Sequence, residues 1–160
     1  MTDRISPEKR SWNMSRIRGK DTGIEVKVRK YLFSKGFRYR KNDPRLPGKP
    51  DIVLPKFHTV IFIHGCFWHR HKGCKNCTIP KTRMEFWNSK FKRNVENDLL
   101  HRNQLEDAGW NVLTIWECSL DKEHFSETMR NMEEQLYSYQ KTNQEPEKAV
   151  LRKHLEQKSF

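Results

Sequence analysis

Apolar residues recur along this chain at two spacings, and each spacing predicts one type of element. The helical spacing of three to four residues is found at Ile24, Val28, Tyr31 and Leu32. Thr22 and Glu25 form a capping-box pattern before this run, and Gly36 supplies a stop after it. The pattern therefore predicts a helix between Thr22 and Gly36.

Short apolar runs bounded by turn residues predict strands. They occupy residues 37–40, 51–54, 59–63 and 110–116. The last run is the most strand-like, because β-branched and aromatic residues fit a pleated, half-buried surface. Asp43-Pro44 and Pro47-Gly48 break the chain between the first two runs.

Three further segments have helical patterns, at about 7–18, 82–109 and 122–139. Ser6 and Pro7 suit the N-cap and the first turn of the first helix. Thr82 and Glu85 form a capping box for the second. Residues 140–160 are polar, and we expect them to be frayed. This element order predicts an α/β fold in which helices flank a central mixed four-stranded sheet.

The charge is distributed unevenly along the chain. The net charge is +12, but residues 1–93 hold 24 Lys and Arg against 7 Asp and Glu, whereas residues 94–160 hold 8 against 13. Aromatic residues such as Trp12 and Trp68 interrupt the basic part. A solvated basic surface would not explain these aromatics, so we expect one face that binds a polyanion such as nucleic acid.

Other protein classes fit the composition less well. No apolar run approaches the roughly 20 residues of a membrane span, and no signal-peptide pattern opens the sequence. Four cysteines close to histidines indicate metal binding in a reducing compartment. The hydrophobic fraction of 34% predicts a modest core that a structural metal would help to stabilise. We expect a soluble, cytoplasmic protein.

Most candidate chemistry lies in residues 64–77, which hold three of the four cysteines and three of the seven histidines. Thiolates and imidazoles are zinc ligands, so the segment predicts a loop held by a structural zinc. Phe67 and Trp68 lie within this loop, where exposed rings could stack on or wedge between bases. Local spacing favours one set of zinc ligands: Cys66, His71, Cys74 and Cys77. The remaining cysteine, Cys118, is either a buried core thiol or a distant fourth ligand.

A carboxylate and a histidine are candidates for catalysis. Asp51 follows Pro50 at the start of a strand, where a carboxylate can meet a hard cation and a phosphate. An aspartate that caps a turn fits this position equally well. His69 and His71 are two residues apart, so one can bind zinc while the other serves as an acid or base. A free histidine is, however, more often structural.

Several longer motifs resemble those of one family. They are Phe62-Ile-His-Gly-Cys-Phe-Trp-His69, Pro47-Gly-Lys-Pro-Asp51, Pro80-Lys-Thr-Arg83, Glu85-Phe-Trp87 and Trp116-Glu-Cys118. Over about residues 8–120, the chain resembles the very short patch repair (Vsr-type) endonucleases. The resemblance implies a restriction-endonuclease-like core and a Mg²⁺-dependent nick on the 5′ side of the thymine in a T·G mismatch. Such mismatches arise when 5-methylcytosine is deaminated.

The resemblance also implies roles for individual residues. Asp51 matches the family's metal-binding aspartate, and the backbone carbonyl of Ile63 matches a second ligand of the same Mg²⁺. His69 matches the catalytic histidine, and Asp98 matches the carboxylate paired with it. The other implied positions are the supporting active-site residues Glu25 and His64, the zinc ligands Cys66, His71, Cys74 and Cys118, the base-step wedge of Phe67, Trp68 and Trp87, and Met14, which enters from the other groove.

Two features depart from the related patterns. Ile63-His64-Gly65 stands where the wider superfamily carries Glu-x-Lys, so a histidine would do the work of the lysine. The segment from His71 to Cys74 is one residue longer than in the family pattern, and Cys77 is additional. The resemblance makes Cys77 a spare thiol, whereas local spacing makes it a zinc ligand, and both alternatives stay open at this point.

Together these observations predict a DNA-contacting arm (1–20), an endonuclease domain (21–140) and a polar C-terminal tail (141–160). We expect a monomer that uses catalytic Mg²⁺ and structural Zn²⁺ on double-stranded DNA containing a T·G mismatch, with other repair proteins as further candidate partners. The main alternative is a non-enzymatic, zinc-stabilised DNA-binding module, which gives no reason for the catalytic candidates. A zinc hydrolase is disfavoured, because four Cys/His ligands leave no open position for water.

Overall fold

The computed structural model describes residues 6–15 and 21–156, with side chains for all of these except Met14 and residues 144–156. Within this part of the chain there are four helices and four strands. They are α1 (Pro7–Ser15), α2 (Gly23–Ser34), β1 (Arg40–Lys41), β2 (Ile52–Leu54), β3 (Thr59–His64), α3 (Met84–Asp107), β4 (Asn111–Trp116) and α4 (Phe125–Glu156). Short 3-10 helical turns, Pro55–Phe57 and Glu117–Leu120, follow β2 and β4.

The four strands form one mixed sheet in the order β1-β2-β3-β4. The first three strands pair antiparallel, and β3 and β4 pair parallel. The parallel register runs from Thr59 opposite Asn111 to His64 opposite Trp116. The predicted α/β fold with a mixed four-stranded sheet is therefore confirmed, and the segments that follow β3 and β4 leave the same edge of the sheet side by side.

Helices cover both faces of the sheet. Helices α2 and α4 pack on one face around the larger core, which includes Val28, Leu32, Ile52, Leu54, Ile61, Ile63, Leu113, Ile115, Met129, Met132 and Leu136. Helix α3 packs on the other face around Val53, Val60, Leu105 and Val112. Because successive strand residues point to opposite faces, a sheet covered on both sides has continuously apolar strands. This explains the uninterrupted apolar runs in the sequence.

The first two helices begin as predicted. The Ser6 hydroxyl accepts a hydrogen bond from the Lys9 N–H at 3.2 Å, although the predicted end of α1 near residue 18 lies outside the described residues. The Thr22 hydroxyl accepts a hydrogen bond from the Glu25 N–H at 3.4 Å. The expected stop after α2 is also confirmed, because Gly36 has φ +86°, a conformation that glycine adopts readily.

The predicted capping box at Thr82 is wrong. Helix α3 begins at Met84, and the preceding Arg83 is in the left-handed region at φ 53° with no side-chain cap. The turn at Arg83 therefore lies between Thr82 and the first helical residue, and the Thr82 side chain is not at the N-cap position.

Two element boundaries also differ from the prediction. The first strand contains only Arg40–Lys41 rather than residues 37–40. The Phe37 N–H closes the end of α2 by donating to the Leu32 carbonyl at 3.0 Å, and its ring packs 5.2 Å from that of Phe57. Helix α4 continues to Glu156 instead of ending near residue 139. Its Glu-, Lys- and Gln-rich continuation has high helix propensity, whereas the apolar pattern used for prediction reports packing.

No helix in the described ranges is long and apolar enough to cross a membrane.

Candidate active site and metal centre

A cleft of about 2120 Å³ opens beside the C-terminal ends of β3 and β4. Its lining combines cationic and acidic side chains, namely Lys49, Arg70, Lys72, Lys90, Arg102, Glu25, Asp51, Asp98 and Glu117. Pockets for small ligands usually measure about 300–1,000 Å³. The larger volume and the charged lining suit a segment of a polyanionic polymer.

Asp51 lines the cleft and stands immediately before β2. Its Oδ2 accepts a hydrogen bond from the Ile63 N–H on β3 at 2.7 Å. The pKa of Asp51 is raised to about 6, mainly by burial and also by the charge of Glu25, although the hydrogen bond from Ile63 and the charges of His69 and Arg29 oppose this shift. The site therefore holds a carboxylate whose charged form is poorly solvated and would be stabilised by a cation.

His69 lies in the turn after β3 and pairs with a carboxylate on α3. Its Nδ1 is 2.6 Å from Oδ2 of Asp98, and both side chains are partly exposed to the cleft. The ring of His69 stacks on that of His64, with centroids 3.8 Å apart and planes 5° apart. Burial lowers the pKa of His64 to about 4, with a further contribution from the His69 charge. His64 is therefore uncharged near neutral pH.

Glu25, on α2, is 5% exposed and belongs to a network of charged side chains at the start of this helix. Its Oε2 accepts a hydrogen bond from the Asp21 N–H at 2.8 Å. Arg29, one turn along the helix, places Nη2 2.7 Å from Asp21 Oδ1 and Nη1 3.9 Å from Glu25 Oε2. Arg29 is itself 6% exposed. These contacts fix the position of the Glu25 carboxylate beside the cleft.

A second cluster, the metal centre, could hold an ion close to the active site. It consists of Cys66, His71, Cys74 and Cys118, whose ligand atoms all lie within 4.8 Å of one another. Nδ1 of His71 is 3.7 Å from the Cys66 sulfur and 3.3 Å from the Cys118 sulfur. Of the described residues, Cys77 does not belong to this group. The geometry thus favours the more distant Cys118 over the nearby Cys77.

The thiols of the metal centre have different environments. Cys66 is completely buried, and burial raises the pKa of its thiol to about 12. Burial also raises the pKa of Cys118. The pKa of Cys74 is lowered, mainly because the Asn76 N–H donates a hydrogen bond to its sulfur at 3.4 Å. All of these cysteines are free thiols.

Aromatic rings from the turn after β3 and from helix α3 pack together beside the cleft. Phe67 contacts Trp68, Trp87 and Phe91 at centroid distances of 5.1, 5.7 and 5.1 Å. Lys90 lies over the Trp68 ring at 5.0 Å. Phe67 and Trp68 also line the cleft, so these rings border the space beside Asp51. A cluster of aromatics with a nearby cation is suited to contact with nucleobases.

The predicted site residues fall into adjacent groups. Asp51, Ile63, His64, His69, Asp98 and Glu25 meet at the cleft, while Phe67, Trp68 and Trp87 form one aromatic cluster. The side chain of Met14 lies outside the described residues. Sequence analysis missed Arg29, although its spacing of four from Glu25 was a usable signal. It also missed Asn94, whose Nδ2 donates to the Trp68 carbonyl at 3.0 Å, and nothing in the local sequence indicates that contact.

Comparisons with known proteins agree with this geometry. Residues 2–76 match the family model described as DNA mismatch endonuclease Vsr. The type II nicking enzyme V.NmeAIP of Neisseria meningitidis is 52% identical over 120 residues, which cover 75% of this chain and 85% of the relative. The DNA mismatch endonuclease Vsr of Escherichia coli is 43% identical over 120 residues, covering 75% of this chain and 76% of the relative.

A third relative extends the pattern. The type II nicking enzyme V.XorIIP of Xanthomonas oryzae is 44% identical over 120 residues, which cover 75% of this chain and 88% of the relative. The identity is high over most of each chain, and Glu25, Asp51, His64, His69 and Asp98 lie together in one cleft. This chain belongs to the family of Vsr-type DNA mismatch endonucleases and nicking enzymes.

Proposed function

We propose that this protein nicks DNA on the 5′ side of the thymine in a T·G mismatch, the product of 5-methylcytosine deamination, and thereby starts very short patch repair. The observation that carries the proposal is the position of His69. It lies one residue after the Phe67-Trp68 pair, within hydrogen-bond distance of Asp98, in the cleft that also holds Asp51. Base recognition and hydrolysis can therefore occur at neighbouring points of one strand.

The donor set of the metal centre supports Zn²⁺ as its ion. Around a tetrahedral zinc, with Zn–S of about 2.3 Å and Zn–N of about 2.0–2.1 Å, a sulfur and a nitrogen ligand lie about 3.6 Å apart. The His71 nitrogen is 3.7 and 3.3 Å from the sulfurs of Cys66 and Cys118. A thiol as buried as Cys66 becomes a thiolate only beside a cation. We assign Cys66, His71, Cys74 and Cys118 as the ligands, and Cys77 as a spare thiol.

The Asp51 carboxylate in the cleft supports Mg²⁺ as the catalytic ion. Asp51 and Glu25 both line the cleft, and the charge of Glu25 raises the pKa of Asp51, so the cleft offers two interacting carboxylates, the hard oxygen donors that Mg²⁺ prefers. Ile63 holds one oxygen of Asp51 through its N–H, which leaves the other oxygen available. The Ile63 carbonyl is the proposed second protein ligand. When bound, Mg²⁺ would stabilise negative charge on the phosphate and on the leaving 3′-oxygen.

His69 is the proposed general base. Its Nδ1 faces Asp98, so an ionised Asp98 keeps the proton on Nδ1 and leaves the lone pair on Nε2. Nε2 can then accept a proton from the attacking water. His64 covers one face of this ring and, being uncharged near neutral pH, does not repel the imidazolium that forms.

Phe67, Trp68 and Trp87 are the proposed base-step wedge, with Met14 as its counterpart from the other groove. Separating two stacked base pairs requires a few kcal/mol, and a mismatched step requires less. Mismatch recognition can therefore rest partly on how readily the duplex deforms.

We further propose that the protein acts as a monomer in the cytoplasm, where its DNA substrate would be found, with residues 1–20 as a DNA-contacting arm.

A nicking assay on short synthetic duplexes tests the proposal. One strand of a short duplex is labelled, and cleavage is followed for a T·G pair beside the same duplex with T·A, each with and without added Mg²⁺. We expect a single nick 5′ of the mismatched thymine only with T·G and Mg²⁺. Tight binding of the T·G duplex without any nick would instead support the non-enzymatic DNA-binding module.

A further inference from the structure

Trp116, the last residue of β4, lies between the metal centre and the active site. One face of its indole stacks on His71, with centroids 4.2 Å apart and planes 6° apart. The same side chain meets His64 edge-on, at 5.3 Å and 73°. Trp116 is half-buried and lines the cleft. It therefore contacts one histidine from each cluster.

This arrangement follows from the parallel pairing of the central strands. His64 and Trp116 are register partners at the ends of β3 and β4. Two residues beyond each partner is a thiol of the metal centre, Cys66 or Cys118. The backbone N–H of Cys66 also donates to Glu117, at 3.3 Å from Oε2, so the two strand ends are joined again just beyond Trp116. The indole thus lies where the ends of β3 and β4 are held together by strand pairing, by this hydrogen bond and by the metal-centre cysteines.

A continuous series of ring contacts leads from Trp116 to the proposed base. His64 meets the indole edge and stacks on His69, and His69 pairs with Asp98. The His64 ring contacts three neighbouring rings: it stacks on His69, meets the indole of Trp116 edge-on, and lies 5.7 Å from the Phe62 ring with planes 47° apart. Trp116 is the neighbour that also stacks on His71, so removing the indole would take away the contact that ties the His64 ring, and the His69 ring stacked on it, to the metal centre.

We propose that Trp116 is a positioning residue that holds the His64–His69 stack in the orientation needed for proton transfer, with the metal centre as its fixed support. This proposal rests on the proposed function, because it concerns the efficiency of that reaction. Trp116 does not touch the reacting atoms itself. Its effect should therefore appear in the rate of the chemical step and in the environment of the His69 ring, with DNA affinity and metal content unchanged.

The chain contains a matched control for the loss of a tryptophan–histidine stack. Trp110, immediately before β4, stacks on His58 with centroids 4.2 Å apart and planes 9° apart. Trp110 is also half-buried, but it does not belong to the cleft lining. The variants Trp116→Leu and Trp110→Leu thus remove stacks of similar geometry, one at the end of β4 and one just before its start, and only Trp116 lies near His69.

The experiment compares both leucine variants and Trp116→Phe with the unaltered protein. It measures single-turnover nicking with saturating protein and Mg²⁺, the affinity for the T·G duplex, and zinc per chain. Histidine-ring ¹⁵N NMR reports the environment of His69 independently of any nicking. We expect Trp116→Leu to lower the nicking rate at least about tenfold, since small misplacements of catalytic groups reduce rates by orders of magnitude. Trp116→Phe should recover most of that rate, and Trp110→Leu should retain it.

The same measurements can overturn the proposal. It fails if Trp116→Leu nicks normally, if Trp110→Leu loses as much rate, or if the His69 ring nitrogens of Trp116→Leu are unchanged. It also fails if Trp116→Leu loses its zinc together with its activity, because the indole would then serve the metal centre alone. Absence of nicking by the unaltered protein would refute the proposed function, whereas a shift of the His69 nitrogens that Trp116→Phe reverses would still support the positioning role.

Discussion

Replacing Asp51 by asparagine is expected to abolish nicking and, at the same time, to stabilise the fold. The substitution keeps the size of the side chain and leaves an amide oxygen to accept the 2.7 Å hydrogen bond from the Ile63 N–H. It removes the negative charge, which is the feature that a cation would bind. It also removes a charge that the folded protein solvates poorly.

The magnitude follows from the raised pKa of Asp51. This pKa is about 6 in the folded protein, raised mainly by burial from an ordinary value of 3.8. Below pH 3.8 the carboxyl is protonated in both the folded and the unfolded chain. Between these two values the unfolded chain loses its proton first, so stability falls as pH rises. At about 1.4 kcal/mol per pKa unit, the difference above pH 6 reaches about 3 kcal/mol.

The assay is thermal unfolding in buffer without Mg²⁺, over a range of pH. Asp51→Asn should unfold at a higher temperature than the unaltered protein at pH 7–8, by roughly 6–12 °C for a chain of this length. The advantage should shrink between pH 6 and 4 and be absent near pH 4. Added Mg²⁺ should stabilise only the unaltered protein, because binding to the folded state raises stability by mass action.

Asp43→Asn is a control for which the opposite change in stability is expected, because the pKa of Asp43 is lowered rather than raised. The side chain of Arg45 donates to both oxygens of Asp43, at 2.9 and 2.7 Å, and holds the pKa of this carboxyl at about 2. Asp43→Asn should therefore lower the unfolding temperature at neutral pH, with the difference shrinking as pH falls from 4 toward 2. An Asp51→Asn variant that is destabilised at pH 8, or that nicks DNA at a normal rate, would refute the reasoning.

Three further predictions concern the base, the wedge and the metal centre. His69→Ala should reduce single-turnover nicking by at least ~10²-fold, the usual contribution of general acid–base catalysis, without weakening duplex binding, and a rate near normal would contradict its role. Trp68→Ala should weaken binding of the T·G duplex by ~1–3 kcal/mol in a titration, with a loss of folding stability below the ~3–5 kcal/mol of a core tryptophan, because Trp68 is only half-buried. Cys118→Ser should lose bound zinc and unfold at lower temperature, whereas Cys77→Ser should keep one zinc per chain and full activity. Metal analysis of the two purified variants decides between the ligand sets, and the opposite pattern would make Cys77 the fourth ligand.

The sequence alone predicted those elements whose ends are set by residues within one helical turn or one strand. Helix α2 lies between its predicted cap at Thr22 and its glycine stop at Gly36, because a capping hydroxyl and a left-handed glycine act within one turn. Strands β3 and β4 were predicted from their apolar runs, because burial on both faces demands such runs. The start of α3 was not, since the left-handed turn at Arg83 has no local signal.

The site divides in the same way. The sequence by itself determined its chemistry: a dense Cys/His segment, adjacent aromatics and a carboxylate before a strand, in motifs specific enough to indicate the family. Residue types and short spacings are sufficient for this, because they define which ligands and bases are available. Roles such as that of Asp98 came only through resemblance.

Tertiary structure alone decided which of these groups meet. The parallel pairing of β3 and β4 brings Cys118 to Cys66 across 52 positions and leaves nearby Cys77 outside the group. The packing of α3 brings Asp98 to 2.6 Å from His69. The physical reason is that spacing along the chain measures only the entropy of closing a loop, which grows slowly with length. The strand register and helix packing, stabilised by the burial of the whole core, determine the actual distances.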